Sequence, residues 1–173
     1  MEVAVDAIRK RRSIRKYEDR EVTEEQITQV LEAARCAPSW KNQQTWQFLV
    51  VKDAEKRQEI ADILEGNPAR KGIAQAPVLI VVCADPALSG VENGKEYYMV
   101  DVGIVMDHIM LEAADMGLGT VFVGWYDEDR VRQALGVPDQ FRIVGMTPLG
   151  YPAKEPKPIP RKELDELVHR ETW

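Results

Sequence analysis

Six consecutive apolar residues, Val78-Leu79-Ile80-Val81-Val82-Cys83, follow Pro77 and constrain the fold more than any other stretch. A short apolar run rich in β-branched residues reads as a strand, and without polar alternation neither face of it can meet water. The chain must therefore build a sheet that is covered on both faces. Its 173 residues fit one domain with a substantial core, and the whole of 1–173 is read as that single domain.

The elements available for cover are mostly helical. Residues 2–11 read as a helix with Ala4, Val5 and Ile8 on one side. Thr23-Glu24-Glu25-Gln26 is a capping box that opens a helix to Arg35, with Ile27, Val30, Leu31 and Ala34 on one face, and Pro38 ends it. Residues 46–52 read as a strand, and Asp53 caps a helix over 54–64. Residues 66–76 and 85–95 read as loops, on Gly66, Pro68 and Gly72 and on Pro86, Gly90 and Gly94. The stretch 96–116 predicts a long helix that is apolar nearly all round in its middle, hence central and of the kind shared with a partner subunit. Gly117-Leu118-Gly119 ends it, and 120–125 reads as a strand. Asp127 caps a helix to Leu135, stopped by Gly136 and Pro138, and 142–146 reads as a strand that resumes after Pro148. Four prolines stiffen 152–160 into an extended segment, and 161–170 predicts a last amphipathic helix on Leu164, Leu167 and Val168. Helices and strands mix without a β-α-β-α rhythm, which predicts an α+β fold with a short mixed sheet under helices. No G-x-G-x-x-G follows a strand, so a Rossmann dinucleotide site is not supported.

Several function classes recede. A net charge of −6 argues against a general binder of nucleic acid or anionic membranes. No apolar run is long enough to span a bilayer, and Met1 leads into a mixed, charged segment rather than a signal peptide, so a cytoplasmic location is expected. Cys36 and Cys83 read as reduced core or near-core thiols, and with only His108 and His169 beside them no metal site is expected.

Against this acidic background stands a cationic island over 9–16, from which the motif Arg11-Arg12-Ser13-Ile14-Arg15-Lys16-Tyr17 is drawn. Guanidinium forks with a short hydroxyl suit a phosphate dianion. A basic helix end resting on its own dipole, or a nucleic-acid patch, would use the same residues. A second constellation runs from Ala37 to Phe48 and includes Pro38, Ser39, Trp40, Asn42 and Gln44. Its amides suit the donor–acceptor edge of a flavin or nucleobase ring; the plainer reading is a loop satisfying its own backbone, with Trp46 in the core. Gly124, after Val123, could let a backbone N–H approach a flat ligand closely, whereas Gly117 and Gly119 read as turn residues. Arg161-Lys162, at a helix start where cations are unfavourable, point to an anionic partner or to a solvated pair.

In order, Arg-Arg-Ser-x-Arg-x-Tyr, Ala-Pro-Ser-x-x-Asn-x-Gln-x-Trp-x-Phe, Gly-Leu-Gly-Thr, Leu-Gly-Tyr-Pro and a late Arg-Lys, the chain resembles the nitroreductase family of flavoproteins from about residue 6 to 168. The resemblance implies an intertwined homodimer with FMN at its interface. By position, Arg11, Arg12, Ser13 and Arg15 match phosphate, ribityl and ring-edge contacts. Pro38, Ser39, Trp40, Asn42 and Gln44 match a loop contributed by the other subunit. Val123 and Gly124 match the strand end facing the flavin N5 side, and Arg161 with Lys162 the late basic residues that close on the phosphate. Thr45 departs from the family's usual proline, and 65–96 lacks an obvious substrate-covering helix.

The implied activity is transfer of two electrons from NADH or NADPH, through FMN and by a ping-pong scheme, to a small electron-poor acceptor: a nitroaromatic, a quinone or a flavin. No catalytic side chain is indicated, and positive charge near the pyrimidine edge, from Arg15 or a neighbour, would stabilise negative charge on the reduced ring. The same binding residues would equally serve a non-catalytic flavin-binding or regulatory module.

Overall fold

A computed structural model describes residues 6–173. The first helix, α1, spans Asp6–Lys10; residues 2–5 of the helix expected over 2–11 lie outside the described residues. There follow α2 (Glu24–Arg35), β1 (Trp46–Val51), α3 (Ala54–Ile63), α4 (Arg70–Gln75), β2 (Val78–Ala84), a hairpin of β3 (Val91–Glu92) and β4 (Lys95–Glu96), α5 (Tyr97–Asp115), α6 (Glu128–Leu135) and β5 (Arg142–Leu149).

The main sheet runs β1-β2-β5, antiparallel throughout, and the one parallel pairing among the described residues is an isolated bridge between Ser13 and Thr120. Every residue of the central strand β2 is buried. Val78, Ile80, Val82 and Ala84 pack with α2 and α5 through Val30, Ala34, Val102 and Met106, while Leu79, Val81 and Cys83 pack with α3, α4 and α6 through Ile60, Ile73 and Val131. The unbroken apolar run thus has two helical layers to serve, each fully buried side chain contributing on the order of 1.5–3 kcal/mol. In α5 the buried positions Tyr98, Asp101, Val102, Val105, Met106, Ile109 and Ala113 form one stripe, while Met99 and Val100 are about half exposed.

Local signals explain the helix ends. Thr23 and Gln26 form the reciprocal capping box, Asp53 and Asp127 cap α3 and α6, and Gly136 closes α6 in the left-handed conformation. Glu128, in the first turn of α6, accepts from Arg132, Arg142 and the Ile143 amide, tying that helix to β5. Hydrogen bonding from Arg142 above all, with the Ile143 amide, holds its carboxyl below the ordinary value of 4.5 against the opposing effect of burial. A depressed carboxyl contributes stability that is present above its unfolded pKa and is lost as pH falls through the folded value. Glu128→Gln is therefore expected to cost about 1–3 kcal/mol at neutral pH, with the difference from wild type narrowing as pH falls below the ordinary carboxyl value, as read from urea unfolding across a pH series.

Several elements differ from expectation. Residues 70–75 are helical rather than loop, because Gly72 serves packing: a Cβ there would lie 3.1 Å from the Arg15 carbonyl oxygen and 3.2 Å from Tyr17 Cε2. Within 85–95, Asn93 and Gly94, both at positive φ, close a two-residue hairpin turn that matches the twist of its strands. The strand expected at 120–125 is reduced to bridges, Gly119 to Gly150 and Val123 to Met146. Midway between them Pro148 offers Val121 no N–H, and the Val121 amide turns to Thr147 Oγ1 at 3.2 Å. β5 itself continues through Pro148. The segment after Tyr151 is extended, and the helix expected over 161–170 is one 3₁₀ turn, Leu164–Glu166. Its apolar stripe, Leu164, Leu167 and Val168, is exposed, and a short helix without packing on its apolar face is not stable. Cys83 is buried, which pushes its thiol up to about 11, but Cys36 is exposed at the end of α2 rather than near the core.

Candidate active site

The cationic segment leaves α1 and is bound edge-on to the chain after α5. Ile14 N–H donates to Thr120 O at 2.8 Å, Glu18 N–H to Tyr151 O at 2.9 Å and Ala153 N–H to Lys16 O at 3.1 Å. The Ile14 side chain lies where a Cβ on Gly119 would stand, 2.7 Å from Cγ1. This placement opens a cavity of about 440 Å³ lined by Arg11, Arg12, Ser13, Arg15 and Arg161, with Arg9, Lys157 and the prolines 156 and 158 completing the wall. Among the described residues it carries six cations and no carboxylate. Arg12 Nη1 donates to the carbonyls of Arg9 (2.5 Å) and Arg11 (2.9 Å), while its Nε is buried without an acceptor. A buried guanidinium N–H without an acceptor, beside a hydroxyl and other cations, fits an oxyanion. Lys162 does not line this cavity. A larger groove of about 900 Å³ between α3 and α6 carries Glu55, Glu59 and Asp62 against Arg130, the wrong balance for phosphate.

The amide loop is strained and tightly held. Lys41, Asn42 and Gln44 all have positive φ (46°, 58° and 51°), which side-chain-bearing residues rarely adopt. Ser39 Oγ accepts from Gln44 N–H at 2.9 Å, and the Trp40 amide donates to Asp101 Oδ1 at 3.0 Å. The Trp40 ring packs on Tyr97 with centroids 4.4 Å apart, and Trp46 is buried in the core. Asp101, the one carboxylate in the buried stripe of α5, is the participant that the motifs did not single out. Burial pushes its carboxyl above the ordinary range, with the Trp40 amide pulling the other way.

The two groups of residues sit at opposite ends of α5. Asp101 anchors the loop in its first half, whereas Arg11 and Arg12 also line a cavity with Ala114 and Gly117 at its far end. Thirteen residues of helix separate those positions, about 20 Å. One chain therefore brings Arg11, Arg12, Ser13, Arg15 and Arg161 together, and leaves Pro38, Ser39, Trp40, Asn42 and Gln44 elsewhere. Val123 and Gly124 lie further along the segment that Thr120 begins. Val123 spends its N–H and C=O on Met146, so strand alternation directs the Gly124 N–H to the opposite, unpaired edge. The Phe122 ring covers Gly124 and Gly145, at either of which a Cβ would stand about 3 Å away.

Comparison with known proteins identifies the family. The model of the nitroreductase family matches residues 8–151. A relative from Methanothermobacter thermautotrophicus is 38% identical over 173 residues, covering 98% of this chain and 87% of its own. The FMN reductase [NAD(P)H] of Bacillus subtilis is 31% identical over 191 residues, covering all of this chain and 75% of its own. A nitroreductase family protein of Clostridium difficile superposes with a TM-score of 0.88 at 31% identity, covering 100% of both chains. With its fold, its motif order and four-fifths of its length accounted for by that family, the chain belongs to the nitroreductase family.

Proposed function

We propose that the protein is an FMN-dependent oxidoreductase that moves two electrons from NADH or NADPH to a small electron-poor acceptor, a nitroaromatic, a quinone or a flavin. The observation that carries the reading is the cavity of six cations with its unpartnered Arg12 Nε beside Ser13. Similarity to an FMN reductase over the whole chain supports it.

Arg11, Arg12, Ser13 and Arg161 hold the phosphate, with Lys162 adding charge nearby. Arg15 places positive charge toward the pyrimidine edge, where it stabilises negative charge on the ring. From Thr120, beside Ser13, to Gly124 is about 13 Å of extended chain, so the phosphate end and the Gly124 N–H can bracket one elongated ligand. Bound FMN supplies two-electron chemistry at N5, used in turn by donor and acceptor in a ping-pong sequence. The side chains position, neutralise charge and exclude water.

The active unit is a homodimer. An amide loop about 20 Å from the cation cavity along α5 can serve that cavity only from a second copy. Exposed Met99 and Val100 on α5, and Ile159, Leu164 and Leu167 on the extended segment 152–173, give that copy apolar surface to cover. The domain is the single unit 1–173 and its location cytoplasmic; among the described residues no helix is long and apolar enough to cross a membrane and no cluster of metal ligands occurs.

The purified protein should show oxidised-flavin absorption after FMN addition, oxidise NAD(P)H in the presence of a nitroaromatic or quinone, and scatter light as a dimer. Flavin binding without turnover would mark a non-catalytic holder instead, and a flavin-loaded monomer would overturn the shared site.

A further inference from the structure

Three left-handed residues within four positions, Lys41, Asn42 and Gln44, make the 38–44 loop a shape that the backbone does not choose unaided. Bonds inside the loop, Gln44 N–H to Ser39 Oγ and Gln44 Nε2 to the Asn42 carbonyl at 3.2 Å, fold it on itself but do not fix it to the rest of the protein. Fixation comes through Trp40. Its ring fits against Gly90, where an added Cβ would stand 2.4 Å from Cε2, and against Tyr97; its amide donates to Asp101, one turn after Tyr97 on the same face of α5.

Asp101 is an unusual choice for that task. It is 2% exposed, it sits among Tyr98, Val102 and Val105, and among the described residues it forms no ion pair. Its Oδ2 and the neighbouring Ser89 Oγ are both buried, and the Ser89 hydroxyl is the carboxyl's second polar neighbour, after the Trp40 amide. Burying a carboxyl costs free energy that an apolar residue at this position would not incur. Retaining one is explained by the loop amide that it receives.

We propose that Asp101 is a positioning residue, whose carboxyl clamps the Trp40 amide and so holds the 38–44 loop in the form that presents Asn42 and Gln44 to the cofactor. The proposal rests on the reading of that loop as part of a flavin site. It makes the loop's shape depend on a hydrogen-bond acceptor at residue 101 and not on negative charge there.

The test compares the wild-type protein with Asp101→Asn, which keeps an acceptor at nearly the same volume, and Asp101→Leu, which removes it with a somewhat larger apolar side chain of the same branching. Two readouts serve: the Kd for FMN, and the rate of trypsin cleavage after the exposed Lys41 in FMN-free protein. Asp101→Leu is expected to raise both by about 10-fold or more, and Asp101→Asn to stay within about 3-fold of wild type. Gly90→Ala, which pushes Trp40 off its seat from another element, should accelerate the same cleavage and covers the case in which Asp101→Leu fails to fold. Unchanged cleavage in Asp101→Leu or Gly90→Ala would overturn the clamp, as would an Asp101→Asn variant as impaired as Asp101→Leu. A wild-type protein that takes up no FMN overturns the flavin reading instead, and the cleavage rates alone then report on the clamp.

Discussion

Arg12→Ala is expected to raise the Kd for FMN by about 10- to 100-fold, because a hydrogen bond to a charged group contributes on the order of 1.5–3 kcal/mol. Arg12 differs from its neighbours in being preset. Two backbone carbonyls fix one end of its guanidinium, and the buried Nε waits without an acceptor, so little side-chain freedom is left to lose when an oxyanion arrives. Arg12→Lys keeps the charge and loses the planar fork, and it should fall between wild type and alanine. Ser13→Ala removes one hydroxyl and should cost up to about 10-fold. None of these three changes touches the helical layers on β2, so circular dichroism of the FMN-free variants should match wild type. Fluorescence titration with FMN measures the effect; wild-type affinity in both alanine variants would remove the phosphate assignment.

Gly119→Ala should be the most damaging single-methyl change in the site region, costing about 1–3 kcal/mol of stability and most of the FMN affinity. Its Cβ would lie 2.7, 2.8 and 2.9 Å from Ile14 Cγ1, Cβ and Cγ2. Ile14 is buried and β-branched, so it cannot swing away, and its amide is bonded to Thr120 O. The strain therefore passes to the backbone beside Ser13, the floor of the cation cavity. Gly117→Ala is the matched control. That residue has φ of 74° with no heavy atom within 4 Å of an added Cβ, so its cost, about 1 kcal/mol, is conformational only. Urea unfolding and FMN titration of the pair separate the two effects. Equal behaviour would mean that the Ile14 contact does not position the site.

Elements that rest on a strong local rule could be read from the chain. The apolar run of β2 has a single physical solution, and Thr23, Asp53, Asp127 and Gly136 mark helix ends by hydrogen bonds made within a few residues. What escaped depends on distant partners. Gly72 reads as a loop signal until Arg15 and Tyr17 are seen packed on it. Pro148 breaks a pairing with Val121, which lies 27 residues earlier, and Asn93-Gly94 is a hairpin signal whose strands are only two residues each. The helix expected at 161–170 needs a surface to lie on. In the site, the cations were legible because local sequence gathers four of them, whereas the meeting of Arg161 with Arg12 needs the proline segment to fold back. Asp101 had one legible trace, a charge in an otherwise buried stripe, but its partner is 61 residues away.

The central claim is that a phosphate is what the clustered guanidinium groups hold. Calorimetric titration of the FMN-free protein with FMN and, separately, with riboflavin isolates that term, since the two ligands differ only in the phosphate. The account predicts that FMN binds at least about 100-fold more tightly, with the gap shrinking in Arg12→Ala and at high salt. Equal affinity for the two ligands would contradict it.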